Sequence, residues 1–190
     1  MIRAFIAVEI TPATIERIAA LIDQLTPSLA GVRWVGPGNF HLTLKFLGNI
    51  DENQIEPIGA ALAEALRPFP RLTINVKGLG VFPNPKRPRV LWVGLVGSRL
   101  ALLQSKVESA LTPLGFAPDE KIFTPHLTIG RWRQGARAER NLESELGKWR
   151  DHEFGATSMH EVILFQSELN PTGAIYHRLK VIMLNSDRMP

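Results

Sequence analysis

Two short stretches of this 190-residue chain share a pattern that could do chemistry, His41-Leu42-Thr43-Leu44 and His126-Leu127-Thr128-Ile129. The chain has five histidines, and two of them stand in near-identical apolar settings, one in each half. In an extended strand, side chains alternate between faces, so His41 and Thr43 share one face while Leu42 and Leu44 share the other. The same parity groups His126 with Thr128 and sets Leu127 and Ile129 behind them. If the two strands lie side by side, two imidazoles and two hydroxyls converge on one cleft. A free imidazole titrates near pH 6.5, so one ring can take a proton while the other gives one. Hydroxyls beside them can bond the non-bridging oxygens of a phosphate as charge builds there. The chemistry that fits is phosphodiester cleavage by an acid-base pair.

The residue types narrow the alternatives. The chain has no cysteine, which excludes disulfides, thiolate zinc sites and a cysteine nucleophile. Neither motif brings a third histidine or carboxylate at zinc-ligand spacing, and no His-x-x-x-His or His-Glu-x-x-His occurs. No metal or other cofactor is therefore expected. Net charge is +4, with 15 Arg to 7 Lys, and arginine's fork suits phosphate oxygens. Arg131 follows the second motif, but strict alternation puts it on the face away from His126; it reaches the cleft if the strand bends near Gly130. The basic turn Lys86-Arg87-Pro88-Arg89 and the run Arg131, Arg133, Arg137, Arg140 could track an RNA backbone. Phe5, Phe46, Trp34 and Trp132 could stack on a base, although parity groups Phe46 with Leu42 and Leu44 and so with the core. His152, His160 and His177 lack the threonine partner and are expected to be structural or surface residues.

The elements that must position these groups follow from periodicity. Residues 2–9 form a strand. Thr11-Pro12 opens a helix carrying Ile15, Ile18, Ile22 and Leu25 to about Thr26. A short strand over 32–35 and the turn Gly36-Pro37-Gly38-Asn39 lead into the first motif strand, 40–47. Asp51 caps a second helix with Ile55, Ile58, Leu62 and Leu66 as its buried stripe. Strands over 71–81 and 89–96 follow, then a helix capped by Ser98 and ended by Gly115. The second motif strand spans 126–132, a polar stretch 134–140 and a short helix 141–149 come next, and strands 158–169 and 174–184 form a hairpin about Asn170-Pro171-Thr172-Gly173. The class is α+β, with mostly antiparallel sheets, helices on the outer faces and a central cleft. No linker is long enough to part independent domains, so residues 1–190 are expected to form one domain of two lobes, each giving one motif. The short apolar start ends in Glu9 and reads as a strand rather than a leader, and no stretch reaches membrane-spanning length. A cytoplasmic monomer with no membrane partner is the expectation.

The paired motif resembles that of the two-histidine (2H) phosphoesterases, and more narrowly that of the bacterial RNA 2',3'-cyclic phosphodiesterases, also called 2'-5' RNA ligases. The likeness extends over nearly the whole chain: Arg3-Ala4-Phe5-Ile6-Ala7-Val8, Arg33-Trp34-Val35, His41 to Gly48, Pro125 to Arg131, and Leu164 to Leu169 with Gly173 and Tyr176. The resemblance implies a bilobal, pseudo-symmetric fold. It implies opening of an RNA terminal 2',3'-cyclic phosphate to a 2'-phosphomonoester without a metal. It further implies His41 as proton donor to the leaving 3' oxygen, His126 as proton acceptor that activates water, and Thr43 and Thr128 as phosphate holders. The motifs alone are too symmetrical to assign donor and acceptor. Three other outcomes stay open at this level: the reverse reaction, joining a cyclic phosphate to a 5' hydroxyl; a different, smaller cyclic phosphate; and a non-catalytic module that binds RNA ends.

Overall fold

In a computed structural model, described for residues 1–133, 135, 139–170 and 173–186, the chain is built on one nine-stranded sheet. The strands are β1 (Ile2–Glu9), β2 (Arg33–Trp34), β3 (His41–Ile50), β4 (Leu72–Phe82), β5 (Val90–Val96), β6 (His126–Arg131), β7 (Glu153–Met159), β8 (Glu161–Asn170) and β9 (Gly173–Met183). Their order is β7-β4-β5-β6-β3-β1-β8-β9, with β2 added to β6. Every pairing between these strands is antiparallel. Helices α1 (Pro12–Leu25), α2 (Ile55–Leu66), α3 (Leu100–Leu111) and α4 (Leu142–Trp149) complete the fold. Each supplies buried apolar residues, such as Ile18, Ile58, Leu103 and Leu142, to one core shared with Leu42 and Leu127. Among the described residues, no helix is long and apolar enough to cross a membrane.

The two motif strands are neighbours at the centre of the sheet, joined through the pair Leu42 and Leu127. Both leucines are buried, 1% and 0% exposed. With these two opposed, an antiparallel register sets His41 toward Thr128 and Thr43 toward His126, all on the other face. Strand parity thus behaves as expected for the four motif residues.

Parity fails just beyond them, and in the same way in both strands. Thr43 pairs with Ala7 and Lys45 with Ile6, which leaves Leu44 as an extra residue. Thr128 pairs with Trp92 and Gly130 with Leu91, which leaves Ile129 extra. Each bulge buries two consecutive residues, Leu44-Lys45 and Ile129-Gly130, and flips the fifth residue after the histidine onto the cleft face. Phe46, expected in the core by simple alternation, is therefore 62% exposed at the cleft. Arg131 reaches the cleft by the bend at Ile129-Gly130.

The two bulges are anchored differently. At Gly130 a Cβ would collide with Val32, so the close approach of the segment leading into β2 requires glycine there. At the matching position Lys45 is a buried cation, 2% exposed. Its Nζ donates to Glu108 Oε2 on α3 at 2.6 Å and to the Ala117 carbonyl at 2.8 Å.

Other departures lie in the second half. The region after α4 holds three strands rather than two: β7 crosses back to pair with β4, and the turn at His160 separates it from β8. Gly155 and an interrupted apolar pattern leave β7 without a clear strand signal in the sequence. Helix α3 is capped by Arg99 rather than Ser98. Gln134, Ala136, Arg137 and Ala138 of the polar stretch, and Pro171-Thr172 of the hairpin turn, lie outside the described residues.

A buried charge left without its partner costs roughly 3–5 kcal/mol, whereas replacing both charges with apolar groups is often close to neutral. Lys45→Met should therefore lower unfolding free energy by at least about 3 kcal/mol in denaturant titration, and Lys45→Met with Glu108→Leu should recover most of it. Equal loss in the single and double variants would show that the pair is not what holds the bulge.

Candidate active site

The concave face carries a cavity of about 700 Å³ lined by His41, Thr43, His126, Thr128 and Arg131, together with residues of β1, β8 and β9. All five residues singled out from the motifs thus meet at one place. Each imidazole is fixed by the same device. His41 Nδ1 lies 2.8 Å from the carbonyl oxygen of Asn39, and His126 Nδ1 lies 2.7 Å from that of Thr124. A carbonyl only accepts, so Nδ1 carries the proton and donates in both rings. The other nitrogen, Nε2, is then the one left to exchange a proton with a substrate. Both acceptors stand two residues before their histidine. The acceptors are backbone carbonyls of unlike residues, Asn39 and Thr124, so no residue type in the sequence marks them.

Aromatic rings flank each histidine. Phe5 and Tyr176 stand 5.0 and 5.1 Å from His41, the latter edge-on at 89°. Phe82 stands 5.0 Å from His126 at 83°, with Trp92 behind at 6.3 Å. Rings this close exclude water and limit the tilt of the imidazoles. Phe5 and Phe46, named earlier as stacking candidates, do line the cavity, whereas Trp34 and the buried Trp132 do not. His152 packs against Trp149 and Phe154, and His177 pairs with Glu168 at 3.1 Å; these two and His160 are exposed and none lines the cavity.

The electrostatics favour an incoming anion. Burial is the main force lowering the His41 pKa, to about 4; the Asn39 hydrogen bond opposes it, and Arg131 and His126 add to the lowering. His126 is lowered too, first by burial, against its Thr124 hydrogen bond, and then by Arg131. Burial raises the Tyr176 pKa, opposed by Arg131 and Arg3. Among the described residues Arg131 has no acidic partner, and neither threonine hydroxyl is engaged by another side chain. One guanidinium and two free hydroxyls therefore face two neutral imidazoles. An anion bound among them offsets the field of Arg131 and favours protonation of a ring. Among the described residues, no three of His, Cys, Asp and Glu converge in a group that could hold a metal ion.

Comparison with known proteins agrees with this geometry. The family model for LigT like phosphoesterases matches the chain twice, over residues 8–92 and 93–176, each copy holding one motif. A protein of Methanothermobacter thermautotrophicus named RNA 2',3'-cyclic phosphodiesterase is 35% identical over 184 residues, 96% of this chain and 99% of its own. One of the same name from Aeropyrum pernix is 39% identical over 165 residues, 86% and 92% of the two chains. Among solved structures, TT0787 of Thermus thermophilus superposes with a TM-score of 0.83 over 98% of this chain and 100% of that one, at 24% identity. E. coli LigT complexed with 3'-AMP gives 0.79 over 97% and 99%, at 23% identity. These two show the shared fold, an α+β architecture in two repeats around a central cleft. With both repeats matched and relatives above 30% identity along nearly its full length, this chain belongs to the LigT-like phosphoesterases of the 2H superfamily.

Proposed function

We propose that the protein hydrolyses the 2',3'-cyclic phosphate at an RNA end to a 2'-phosphomonoester, using His41 and His126 as the acid-base pair and no metal. The observation that carries this is the pair of tautomer-fixed imidazoles facing one cavity with two free hydroxyls and a free guanidinium. The relatives named RNA 2',3'-cyclic phosphodiesterase support the substrate. Both motifs come from one chain, so the unit proposed is a single bilobal domain acting as a cytoplasmic monomer on RNA.

The shapes of the two walls support roles for the two histidines. The wall on the His41 side is aromatic and apolar, with Phe5, Phe46, Leu169 and Tyr176, and suits a nucleoside. In an in-line displacement the attacking and leaving oxygens stand on opposite sides of phosphorus. A ribose on the His41 wall points its 3' oxygen at His41 and leaves the other side to water beside His126. His126 Nε2 then takes a proton from water as the new O–P bond forms. His41, protonated once phosphate is bound, gives its Nε2 proton to O3' as the P–O3' bond breaks. Thr43, Thr128 and Arg131 hold the non-bridging oxygens as charge gathers there. Phe46, brought to the cleft by its bulge, supports the terminal base.

Incubation of an RNA ending in a 2',3'-cyclic phosphate, with excess EDTA, should yield the 2'-monoester at full rate. General acid-base catalysis contributes about 10² to 10⁴. His41→Ala and His126→Ala should each lose at least about a hundredfold in kcat with an unchanged circular dichroism spectrum, and a variant that kept its rate would remove that ring from the mechanism. Joining to a 5'-hydroxyl RNA in the same mixture would show as a 2'-5' linked product and measures the reverse reaction.

The pH dependence has a definite sign. The productive free protein carries one proton between the two rings, and both rings have pKa values pushed below the ordinary 6.5. Above the higher of the two, that form is depleted about tenfold per pH unit. The maximum of kcat/KM should therefore fall below about pH 6.5. The alkaline limb of kcat should lie at higher pH, because bound phosphate raises the imidazole pKa. Arg131→Gln should lower kcat/KM while moving its alkaline limb upward. A kcat/KM that stays flat to about pH 8 contradicts an imidazolium donor.

A further inference from the structure

The cavity extends past the motif residues along the wall formed by β1, β3, β8 and β9, and there it meets Arg3, a cation that lines it along with Arg131 and Lys121. Arg3 and Phe5 are two residues apart on β1 and both line the cavity. The strand pairing fixes the order of groups along the wall. Ala7 stands opposite Thr43, Phe5 opposite Phe46, and Arg3 opposite Asn49 beyond them. Moving away from the reacting phosphate, a substrate therefore meets a hydroxyl, then two aromatic rings, then a guanidinium.

The spacing suits one nucleotide. Ala7 and Arg3 are four residues apart, about 13 Å along an extended strand. An arginine side chain reaching back along the groove shortens that to the span of one ribose and its 5' oxygen. The surroundings agree. Tyr176 lies within the fields of both Arg131 and Arg3. Arg3 lines that cavity together with Tyr176 and Arg131. Among the described residues it has no acidic partner, so its charge is available to a ligand.

We propose that Arg3 forms a second phosphate subsite, which takes the 5' phosphate of the nucleotide whose cyclic phosphate is opened. This rests on the function proposed above and adds a substrate preference: RNA chains over nucleosides bearing the same cyclic phosphate. The guanidinium fits the non-bridging oxygens of a phosphomonoester or of the phosphodiester that links the terminal nucleotide to the rest of the chain.

Three substrates test it: adenosine 2',3'-cyclic phosphate with a free 5' hydroxyl, the same compound with a 5' phosphate, and the dinucleotide ApA ending in the cyclic phosphate. The intact protein should show kcat/KM at least about tenfold higher for the second and third than for the first, mostly through KM. Arg3→Gln should collapse that ratio to near one, and Arg3→Lys should keep part of it. Arg67→Gln with Lys106→Gln, which removes two exposed charges outside the cavity, should leave the ratio unchanged. A ratio near one in the intact protein, or an equal loss on all three substrates in Arg3→Gln, overturns the subsite while leaving the cyclic phosphodiesterase function in place. No turnover of any of the three by the intact protein overturns the function itself, and the subsite with it.

Discussion

The antiparallel pairing of Leu42 with Leu127 is the constraint on which the site depends. These leucines are buried in the core and are themselves the registered pair that joins the two motif strands. A slip of one residue in either strand would turn its leucine to the cleft and its histidine into the core. The cost would be a buried aliphatic side chain exposed, about 2 kcal/mol or more, together with an imidazole desolvated among leucines. The register that satisfies the core is thus the register that brings the two rings together. Chemistry and stability are fixed by the same pair of residues, and the long sequence separation of the motifs is bridged by the simplest contact a sheet can make.

Once the rings are together, the empty site is poised for an anion. Each imidazole is desolvated and neutral, each has its Nδ1–H committed to a backbone carbonyl, and the nearby guanidinium adds to the penalty for protonation. Desolvation and the guanidinium hold the proton off in the absence of substrate. A phosphate offsets the second of these, because its charge faces Arg131 and the imidazoles alike. In the proposed reaction, substrate binding and acid formation would therefore be linked. The carbonyls matter as much as the histidines, since they decide which nitrogen is free to react.

Much of this was legible in the sequence. The alternation of His-x-Thr against its aliphatics correctly placed four side chains on one face, and the apolar stripes located the four helices, although Glu52–Gln54 before α2 and Thr112–Leu114 after α3 are 3-10 turns rather than α-helix. Alternation could not reveal the bulges. They arise from where an extra residue is accommodated between three strands, a tertiary matter, and they moved Phe46 out of its expected core position and brought Arg131 to the cleft. Strand β7 was missed because its partner, β4, lies far away in the chain and its own apolar pattern is broken by Gly155. Nor could composition show that the aromatic residues Phe5, Tyr176, Phe82 and Trp92 gather around the two histidines, since they come from four different strands.

The two halves are alike in what they do to a proton and different in what they offer a ligand. The bulges show how that difference is built. In β6 the buried position beside the bulge is Gly130, closed over by the segment leading into β2, and the residue delivered to the cleft is arginine. In β3 the same position is Lys45, whose buried ammonium reaches α3 and the Ala117 carbonyl, and the residue delivered is phenylalanine. Ala117 belongs to the segment that runs on to Thr124, the residue that orients His126. A cation on the first motif strand thus tethers the chain that leads into the second. One local geometry, repeated, presents two imidazoles to one cavity; the residue delivered beside each differs, Arg131 in one strand and Phe46 in the other, and in the proposed reaction the first would face the phosphate and the second the base. Under that proposal a symmetric pair of histidines would acquire distinct roles from the unequal residues set beside them.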